Sequence, residues 1–404
     1  MFSEQFFDLV LNFGDQWEVT KVELNIKTEE VDVFVDFIGK KAEDPDTQLM
    51  CPIYDHAEPR RWRHLDTLQY KTYINCAVPR IVNQQGKVKV VKVPWASNYE
   101  RHTYLFERLA IDLLKGTKNQ TKTAEILRCG FHVVNRIVHL SVERGLLLRP
   151  KNPTFEYLSL DEKSFKKGHK YVTVLSDPIS GVVIDISEDR DTKSCNGLIT
   201  KIISNENTNK VKSVSMDMWK PFINTVKELL PKAKIIHDRY HLVAYLNEAI
   251  DKVRKREVKE HADLKKTRYL FLKNPVNLTE KQRIKFEEIS KVNYEVSRAW
   301  QVKENFRDIF GCQSTDQATH LVLQWISNSK NTKIKEIIKV VDMFANHLSG
   351  VINAMAETFS NAMAERLNGK IQEVKTCGRG YRKFDNFRSA ILFFHGGLYL
   401  YPLN

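Results

Sequence analysis

The apolar residues of the first hundred positions follow strand periodicity. Apolar and polar residues alternate in two runs within residues 17–38, and the polar residues 27–30 separate the runs. Alternation with a period of two is typical of strands with one buried face, and a short polar break between such runs indicates a hairpin. Shorter apolar runs follow within residues 49–93. The pattern predicts a β-hairpin segment over residues 1–45 and a small β-rich module over residues 46–100.

Helical spacing replaces the alternation after about residue 103. Three helices are predicted, and Cys129 and Gly130 form a turn between the second and the third. This succession is the pattern of a helix-turn-helix domain, which we place over residues 101–150. Residues 115–151 hold eight Lys/Arg but two Glu, which favours contact with DNA phosphates over a plain three-helix packing unit. The candidate DNA contacts here are Arg128, His132, Asn135 and Arg136.

Strands and helices alternate over residues 151–241. Three predicted strands come first, the second and third joined by a hairpin turn at residues 177–181, and two helix–strand units follow. That order is typical of a ribonuclease-H-like sheet. The predicted strands cover residues 157–160, 171–175, 182–186, 211–216 and 233–237. We therefore expect a multidomain α+β protein whose ribonuclease-H-like mixed α/β core begins here.

The rest of the chain has a helical pattern. No alternation appears in residues 242–356, and the stretch from Lys252 to Lys285 holds twelve Lys/Arg against four Asp/Glu. We expect a large all-α insertion domain over residues 242–356. The chain is then expected to return to the core over residues 357–404, with one helix at 357–375. The basic insertion offers candidate DNA contacts at Lys252, Arg254, Lys255 and Arg256.

Composition narrows the partner and the compartment. The 404 residues carry a net charge of +13, which favours nucleic acid as a partner over ordinary solubilising charge. No apolar run approaches the roughly 20 residues that span a bilayer, and no basic leader precedes an apolar segment. Six cysteines are scattered without CxxC pairs, which indicates free thiols in a reducing compartment. A cytoplasmic protein without a membrane anchor is expected.

Two acidic residues stand at the ends of predicted strands. Asp161 follows the first strand of the core, and Asp217 follows the fourth. In the expected topology these strands are neighbours, so the two carboxylates meet at the edge where open α/β sheets place their sites. Two close carboxylates repel each other unless a cation lies between them, and oxygen ligands suit Mg²⁺ or Mn²⁺. Asp161 and Asp217 are therefore predicted metal ligands.

A third acid is expected from a helix packed across the same edge. Asn361, Glu365, Asn368 and Gln372 form one polar stripe at helical spacing. Any solvated helix face has such a stripe, so the role of Glu365 as a ligand rests on the two aspartates upstream. Two metal ions held by these acids would suit in-line displacement at phosphorus.

The motif Asp238-Arg239-Tyr240-His241 offers a competing choice for the second acid. Asp238 ends the fifth predicted strand, and His241 lies one helical turn later. We prefer Asp217, because the fourth strand adjoins the first in the expected topology and the fifth lies farther out. Asp238 and His241 are then expected to support the metal ligands or to position DNA.

Together these motifs resemble those of the ISL-three-type insertion-sequence transposases, which are prokaryotic DDE enzymes. The likeness covers nearly the whole chain after about residue 45, and the four acid-bearing motifs in this order are more specific than any one of them. The motifs that carry it are Leu160-Asp161-Glu162-Lys163-Ser164, Asp217-Met218-Trp219-Lys220-Pro221-Phe222, Asp238-Arg239-Tyr240-His241, Ser360-Asn361-Ala362 with Glu365, Trp62-Arg63-His64-Leu65-Asp66 and Val93-Pro94-Trp95-Ala96.

The resemblance implies a DDE triad of Asp161, Asp217 and Glu365 in a ribonuclease-H-like core. It also implies an α-helical insertion between the second Asp and the Glu, which here are 148 residues apart. The Asp-x-x-His element resembles the Cys/Asp-x-x-His motif of Mutator-like transposases, where it accompanies a separate catalytic Asp. That likeness supports Asp217 over Asp238.

The N-terminal module departs from the family pattern. The family's module resembles a zinc ribbon that opens with Cys-Pro-x-Cys, but Tyr54 stands where the cysteine after Cys51 would be. Asn83, Gln84 and Gln85 lie where a second ligand pair belongs. Tetrahedral zinc needs four Cys/His ligands, and only Cys51 is secure. Three other residues could compensate, but their spacing fits no ribbon, so no structural zinc is expected: His56, His64 and Cys76.

The leading hypothesis is a DNA transposase. Its N-terminal modules would bind terminal inverted repeats in double-stranded DNA. Its core would cleave the strand at the transposon end and transfer the 3′-hydroxyl to target DNA. Joining two ends requires at least a homodimer, and such a prokaryotic enzyme would be nucleoid-associated in the cytoplasm. Two alternatives stay open: a transposase-derived DNA-binding regulator without catalysis, and a related metal-dependent DNA nuclease.

Overall fold

The structure is a computed structural model that describes residues 3–166, 170–357 and 362–403, without the side chains of residues 362–365 and 368. The chain folds into two compact units. The first is Met1–Leu148 with Leu398–Asn404, and the second is Arg149–Gly397. Among the described residues, no helix combines the length and the apolar character needed to cross a membrane.

The first unit begins with two small sheets. Their strand orders are β1-β2-β6-β5 and β3-β4-β7-β8, and β1 and β2 form the antiparallel hairpin that the alternating pattern predicts. Val33 and Val35 of that hairpin are buried in one core with Trp62 and Trp95. The elements of this unit are α1 (Ser3–Leu11), β1 (Trp17–Asn25), β2 (Glu30–Phe37), β3 (Lys41–Glu43), β4 (Met50–His56), β5 (Arg60–Arg63), β6 (Lys71–Cys76), β7 (Pro79–Val82), β8 (Val88–Val90), α2 (Tyr104–Thr117), α3 (Gln120–Ile126) and α4 (Phe131–Leu147).

Helices α2, α3 and α4 follow the predicted helix-turn-helix succession. The Thr103 side chain caps α2, and the Asn119 side chain caps α3, each by accepting a backbone N–H of the first turn. The residues from Leu398 onward belong to the same unit and pack on these helices. Arg144 of α4 donates a hydrogen bond of 2.5 Å to the Leu400 carbonyl. Gly145 lies against Leu398 so closely that an added Cβ would overlap it.

The second unit contains a five-stranded sheet in the order β11-β10-β9-β12-β13. The first three strands pair antiparallel, whereas β9, β12 and β13 pair parallel, which is the arrangement expected from the sequence. The elements are β9 (Tyr157–Lys166), β10 (Lys170–Asp177), β11 (Val182–Glu188), α5 (Thr192–Ile202), β12 (Ser213–Met216), α6 (Lys220–Leu229), β13 (Lys234–His237), α7 (Arg239–Glu257), α8 (Arg268–Leu272), α9 (Glu280–Ser290), α10 (Glu295–Arg307), α11 (Thr315–Asn331), α12 (Lys335–Asn346), α13 (Leu348–Ala356), α14 (Ala362–Cys377) and α15 (Phe384–His395).

Strand β9 is longer than the sequence predicts. We placed its end at Asp161, but the strand continues to Lys166. That prediction was wrong because β10 pairs with the residues beyond Asp161. Val172 lies opposite Lys163, and Tyr171 lies opposite Ser164. Only the parallel pairing with β12 stops before Asp161, at Leu160.

Apolar residues of the sheet and of helices α5 and α6 form one core, and the helices from α7 to α13 form another. As predicted, the described residues from α7 to α13 form helices and no strand. The finer domain boundaries within each unit stay predictions.

A buried ion pair joins β11 to α15. Asp185 is 1% exposed and accepts hydrogen bonds from Arg388 Nε at 2.7 Å and Nη2 at 2.9 Å. Lys201 of α5 donates a third at 2.8 Å. Burial alone would raise the pKa of Asp185, but the hydrogen bonds and charge of Arg388, together with those of Lys201, lower it below its usual value.

Candidate active site

Three aspartates occupy one edge of the five-stranded sheet. Strand β12 ends at Met216, which lies opposite Leu160 of β9 and His237 of β13. In the sequence, an aspartate directly follows each of these three paired residues. The three aspartates are Asp161, Asp217 and Asp238. Because β9, β12 and β13 are parallel, all three lie at the carboxyl ends of the parallel ladders, where α/β sheets place ligands.

Asp161 is held by its own strand. Its Oδ1 accepts the backbone N–H of Glu162 at 2.7 Å, and Lys163 Nζ lies 3.0 Å from its Oδ2. Lys163 is two residues along the strand and so shares the face of Asp161. Its ammonium group supplies positive charge beside a carboxylate that is 18% exposed.

Asp217 is held by the first turns of α7. The Tyr245 hydroxyl donates to its carboxylate, 3.3 Å from both oxygens, and His241 Nδ1 lies 4.0 Å from Oδ2. The backbone N–H of Met218 donates to Oδ1 at 2.6 Å. Burial and the charge of Asp217 raise the pKa of Tyr245 to about 12, so the hydroxyl keeps its proton at neutral pH. Tyr245 therefore remains a donor to Asp217.

Asp238 stands at the same edge but has a local structural task. It is the N-cap of α7, and its Oδ1 accepts the backbone N–H of Tyr240 at 2.7 Å. Asp161 and Asp217 also accept a backbone N–H through Oδ1, so this bond does not separate the three aspartates. The choice of Asp217 as the second acid, with Asp238 and His241 in supporting roles, stays a prediction.

Beneath the edge, His237 is buried between the strand and α13. Its ring meets that of His347 edge-on at 5.6 Å, and Gly350 lies so close to the His237 ring that an added Cβ would overlap it. Burial, followed by the charge of His347, lowers the pKa of His237 to about 4. This histidine is therefore a neutral packing group that supports the end of β13.

Helix α14 carries the predicted third acid. Glu365 lies within this helix, but its side chain, like that of Asn368, is outside the described residues, as is Asn361 altogether. Leu367 and Ile371 are buried, so α14 packs by their face. Near the end of the helix, Lys375 Nζ donates to the Ser164 carbonyl of β9 at 2.6 Å, which ties α14 to the strand of Asp161.

The described side chains offer two of the three predicted metal ligands. No cluster of three or more His, Cys, Asp or Glu suited to a metal ion occurs among them. The carboxylates of Asp161 and Asp217 are hard oxygen donors, which fit Mg²⁺ or Mn²⁺ and not a softer ion. The Lys163 ammonium lies beside Asp161, so this carboxylate already attracts a positive charge.

Two cysteines of the N-terminal module lie in its apolar core. Cys51 is buried in the cluster around Trp62, and burial raises the pKa of Cys76 to about 12. Both thiols therefore belong to the apolar packing of this module. The expectation of no structural zinc stays a prediction.

The candidate DNA contacts of the helix-turn-helix segment lie in and just before α4. His132 and Arg136 are exposed, and Asn135 is half-buried. Arg136 donates to Glu100 at 2.6 Å, whereas Arg128 forms an ion pair with Asp66 and also lies 3.8 Å from Glu29. Both arginines would have to exchange these carboxylates for phosphates, and their role stays a prediction.

The four candidates on α7 are paired with acids. Lys252 contacts Glu248 at 2.7 Å, and Lys255 and Arg254 both contact Asp251. The remaining pairs join Arg256 to Glu295 and to Glu336, at 2.5 and 3.0 Å. The Arg254 side chain is only 11% exposed, which leaves it little surface for DNA. Lys252 and Lys255 remain well exposed, and all four contacts stay predictions.

Sequence reasoning missed Lys163 and Tyr245. Tyr245 follows His241 by four residues on α7, so helical spacing from the Asp-x-x-His element could have drawn attention to it. A tyrosine at such a position is more often a packing residue, and only the tertiary structure brings its hydroxyl to Asp217.

Comparison with known proteins identifies both halves of the chain. A family model for ISL3 DDE transposases, described as transposase, matches residues 158–391. A second, described as the helix-turn-helix domain of transposase family ISL3, matches residues 91–142. The chain is 23% identical over 337 residues to the transposase for insertion sequence element IS1001 of Bordetella parapertussis, covering 81% of this chain and 82% of that protein. It is 25% identical over 358 residues to the transposase for insertion sequence element IS1557 of Mycobacterium tuberculosis, covering 80% and 78%.

Proposed function

The chain belongs to the ISL3 family of transposases, and on that premise we propose that it cleaves DNA at transposon ends and joins them to target DNA. The catalytic groups in this proposal are Asp161, Asp217 and Glu365, on a sheet of ribonuclease-H-like order. The observation that carries the proposal is the register of β9 and β12. Leu160 pairs with Met216, and Asp161 and Asp217 are the residues that directly follow them.

The described residues have distinct tasks in this reaction. Asp161 and Asp217 would hold divalent cations through their carboxylate oxygens, and Glu365, whose side chain lies outside the described residues, would be the third ligand. When bound, Mg²⁺ or Mn²⁺ activates the attacking water or 3′-hydroxyl and stabilises the leaving oxygen. Tyr245 keeps its proton and orients the Asp217 carboxylate from behind. Lys163, whose Nζ lies 3.0 Å from Asp161 Oδ2, would supply positive charge beside that carboxylate.

DNA binding is assigned to the helix-turn-helix segment that matches the family model. Helix α4 presents His132 and Arg136 on its exposed side, where a recognition helix reads the major groove. We propose terminal inverted repeats as the specific sites. We also propose at least a homodimer, because two transposon ends must be joined.

The test uses the full chain, Mg²⁺ and a labelled DNA end from the element that carries this gene. Asp161→Asn and Asp217→Asn should each lower the rate of strand cleavage at least about 100-fold, since even an outer-shell partner of a metal site is worth about 10–100-fold. Asp308→Asn is the matched control, because Asp308 is an exposed acid at the end of α10. Asp238→Asn should lower cleavage far less than Asp217→Asn.

The outcomes separate the alternatives. Cleavage followed by joining to a target duplex supports a transposase. Cleavage without joining under any divalent metal supports a nuclease, and specific binding of the end without cleavage supports a regulator. Full cleavage activity in Asp161→Asn would reject the assignment of the acids.

A further inference from the structure

A groove lies between helices α7 and α12 of the second unit. Its volume is about 640 Å³, which is within the range of ligand-binding clefts. The residues that line it are Tyr245, Glu248, Ala249, Lys252, Lys335, Glu336, Lys339, Val340 and Met343. All of them belong to α7 or α12, so the groove is a feature of the helical insertion.

One end of the groove is adjacent to the candidate active site. Tyr245 lines the groove, and its hydroxyl lies 3.3 Å from both carboxylate oxygens of Asp217. From Tyr245, helix α7 continues along the groove through Glu248 to Lys252. A DNA strand whose reacting phosphate lies at Asp217 therefore has this groove beside it.

The charges that line the groove are not balanced. Its two acids are already paired, Glu248 with Lys252 at 2.7 Å and Glu336 with Arg256 at 3.0 Å. Lys335 and Lys339 are exposed and make no ion pair within the described part of the chain. They are four residues apart on α12, so they present two ammonium groups on one side of that helix. The uncompensated charge of the groove is positive.

The floor of the groove is apolar. Ala249, Val340 and Met343 line it between the two helices. An apolar floor beneath two lysines suits a ligand that has a hydrocarbon-rich sugar and a regularly spaced anion. The sugar–phosphate backbone of DNA has both, and lysine is a common partner of its phosphates.

We propose that the α7–α12 groove binds the DNA backbone next to the reacting phosphate, with Lys335 and Lys339 as its phosphate contacts. This inference rests on the proposed function, because it takes the reacting strand to lie at Asp217. The two lysines lie one helical turn apart, with Cβ atoms about 5–6 Å apart, which lets them contact neighbouring phosphates of one strand.

The first test is the salt dependence of binding to a transposon-end DNA that spans the cleavage site, measured by fluorescence anisotropy without divalent metal. The variant is Lys335→Ala with Lys339→Ala. The matched control is Lys281→Ala with Lys285→Ala, which removes two exposed lysines four residues apart on α9. Each lost phosphate contact should lower the slope of log affinity against log salt by ~0.9, so the variant should lose about 1.8. Over a fourfold rise in salt, wild type should lose roughly 12-fold more affinity than the variant.

A second test locates the contact. The variant Lys339→Cys is incubated with a series of transposon-end DNAs, each of which carries a thiol-reactive group on one phosphate at a different distance from the cleaved bond. The wild-type chain gives the background cross-linking from its own cysteines. Cross-linking that is strongest at the phosphates next to the cleaved bond supports the groove. An unchanged salt slope in the double alanine variant, or cross-linking that peaks a full helical turn away, overturns it. Wild-type cleavage and joining, measured in parallel, report separately on the proposed function.

Discussion

The buried ion pair of Asp185 permits a prediction of stability that is independent of catalysis. The change is Asp185→Asn, which keeps the shape of the side chain and removes its charge. Asp185 is 1% exposed and accepts hydrogen bonds from Arg388 and Lys201. In the variant, Arg388 keeps its charge in a site where its side chain is 22% exposed, and the carboxylate that balanced it is gone.

The expected cost follows from that environment. Removing one partner of a buried pair destabilises a protein by about 3–5 kcal/mol. Arg388 is partly reached by water, and the amide oxygen of the substituted side chain still accepts one hydrogen bond, so the lower end, about 3 kcal/mol, applies. In a unit of this size, 1 kcal/mol shifts the midpoint of thermal unfolding by about 2–4 °C, which gives a drop of roughly 6–12 °C.

The assay is differential scanning calorimetry of the full chain at neutral pH, with Lys201→Met as the control. Lys201 is 60% exposed, so its ion pair is worth about 0–1 kcal/mol. Equal shifts in the two variants would refute the reasoning. Because the fold lowers the pKa of Asp185, its contribution is present above its unfolded pKa and is lost as pH falls through the lower folded value. The gap between wild type and Asp185→Asn should stay constant at neutral pH and close only under acidic conditions.

Two further changes test the neighbourhood of the candidate site. Tyr245→Phe removes the donor to Asp217, and it should raise the Mg²⁺ concentration needed for half-maximal cleavage by about 10–100-fold while leaving thermal stability nearly unchanged; an unaltered Mg²⁺ titration would contradict the orienting role. Gly350→Ala places a methyl group against the buried His237 ring and should cost about 1–3 kcal/mol in urea unfolding. Gly369→Ala on α14, where an added Cβ would meet nothing within 4 Å among the described residues, should instead stabilise by about 0.5–1 kcal/mol, and a gain in both variants would count against the close packing at His237.

The parts of the fold that sequence predicts well are those with local periodic signals. The β1–β2 hairpin follows from alternation, because each strand pairs with the neighbour that the turn provides. The placement of Asp161 and Asp217 just beyond the paired residues Leu160 and Met216 follows from one topological step, the adjacency of the first and fourth strands of the core. Their joint role as metal ligands stays a prediction. No long-range contact beyond that adjacency is needed for either result.

The missed features have two causes, a weak local signal and partners that are distant in sequence. The extension of β9 past Asp161 pairs with β10, which begins four residues after β9 ends, but the polar residues 162–164 show no apolar alternation that would indicate a strand. Asp185 sits in an alternating strand and resembles an exposed position, because its partner Arg388 is 203 residues away. Three of the four α7 candidates pair with acids three or four residues away on the same helix, which helical spacing could have indicated. The partner of Arg256 at Glu336 is 80 residues away, and only the fold brings it beside α7.

The placement of Leu398–Tyr401 in the first unit has a consequence for synthesis. These residues pack on α4 but are translated after all 249 residues of the range 149–397. At ~5–20 residues per second, the ribosome needs roughly 12–50 s to cross that range. When residue 397 has been made, all five strands of the acid-bearing sheet are present, but the helix-turn-helix segment still lacks the residues that pack on Arg144 and Gly145. The unit that contains the helix-turn-helix segment is therefore the first to begin folding and the last to be completed.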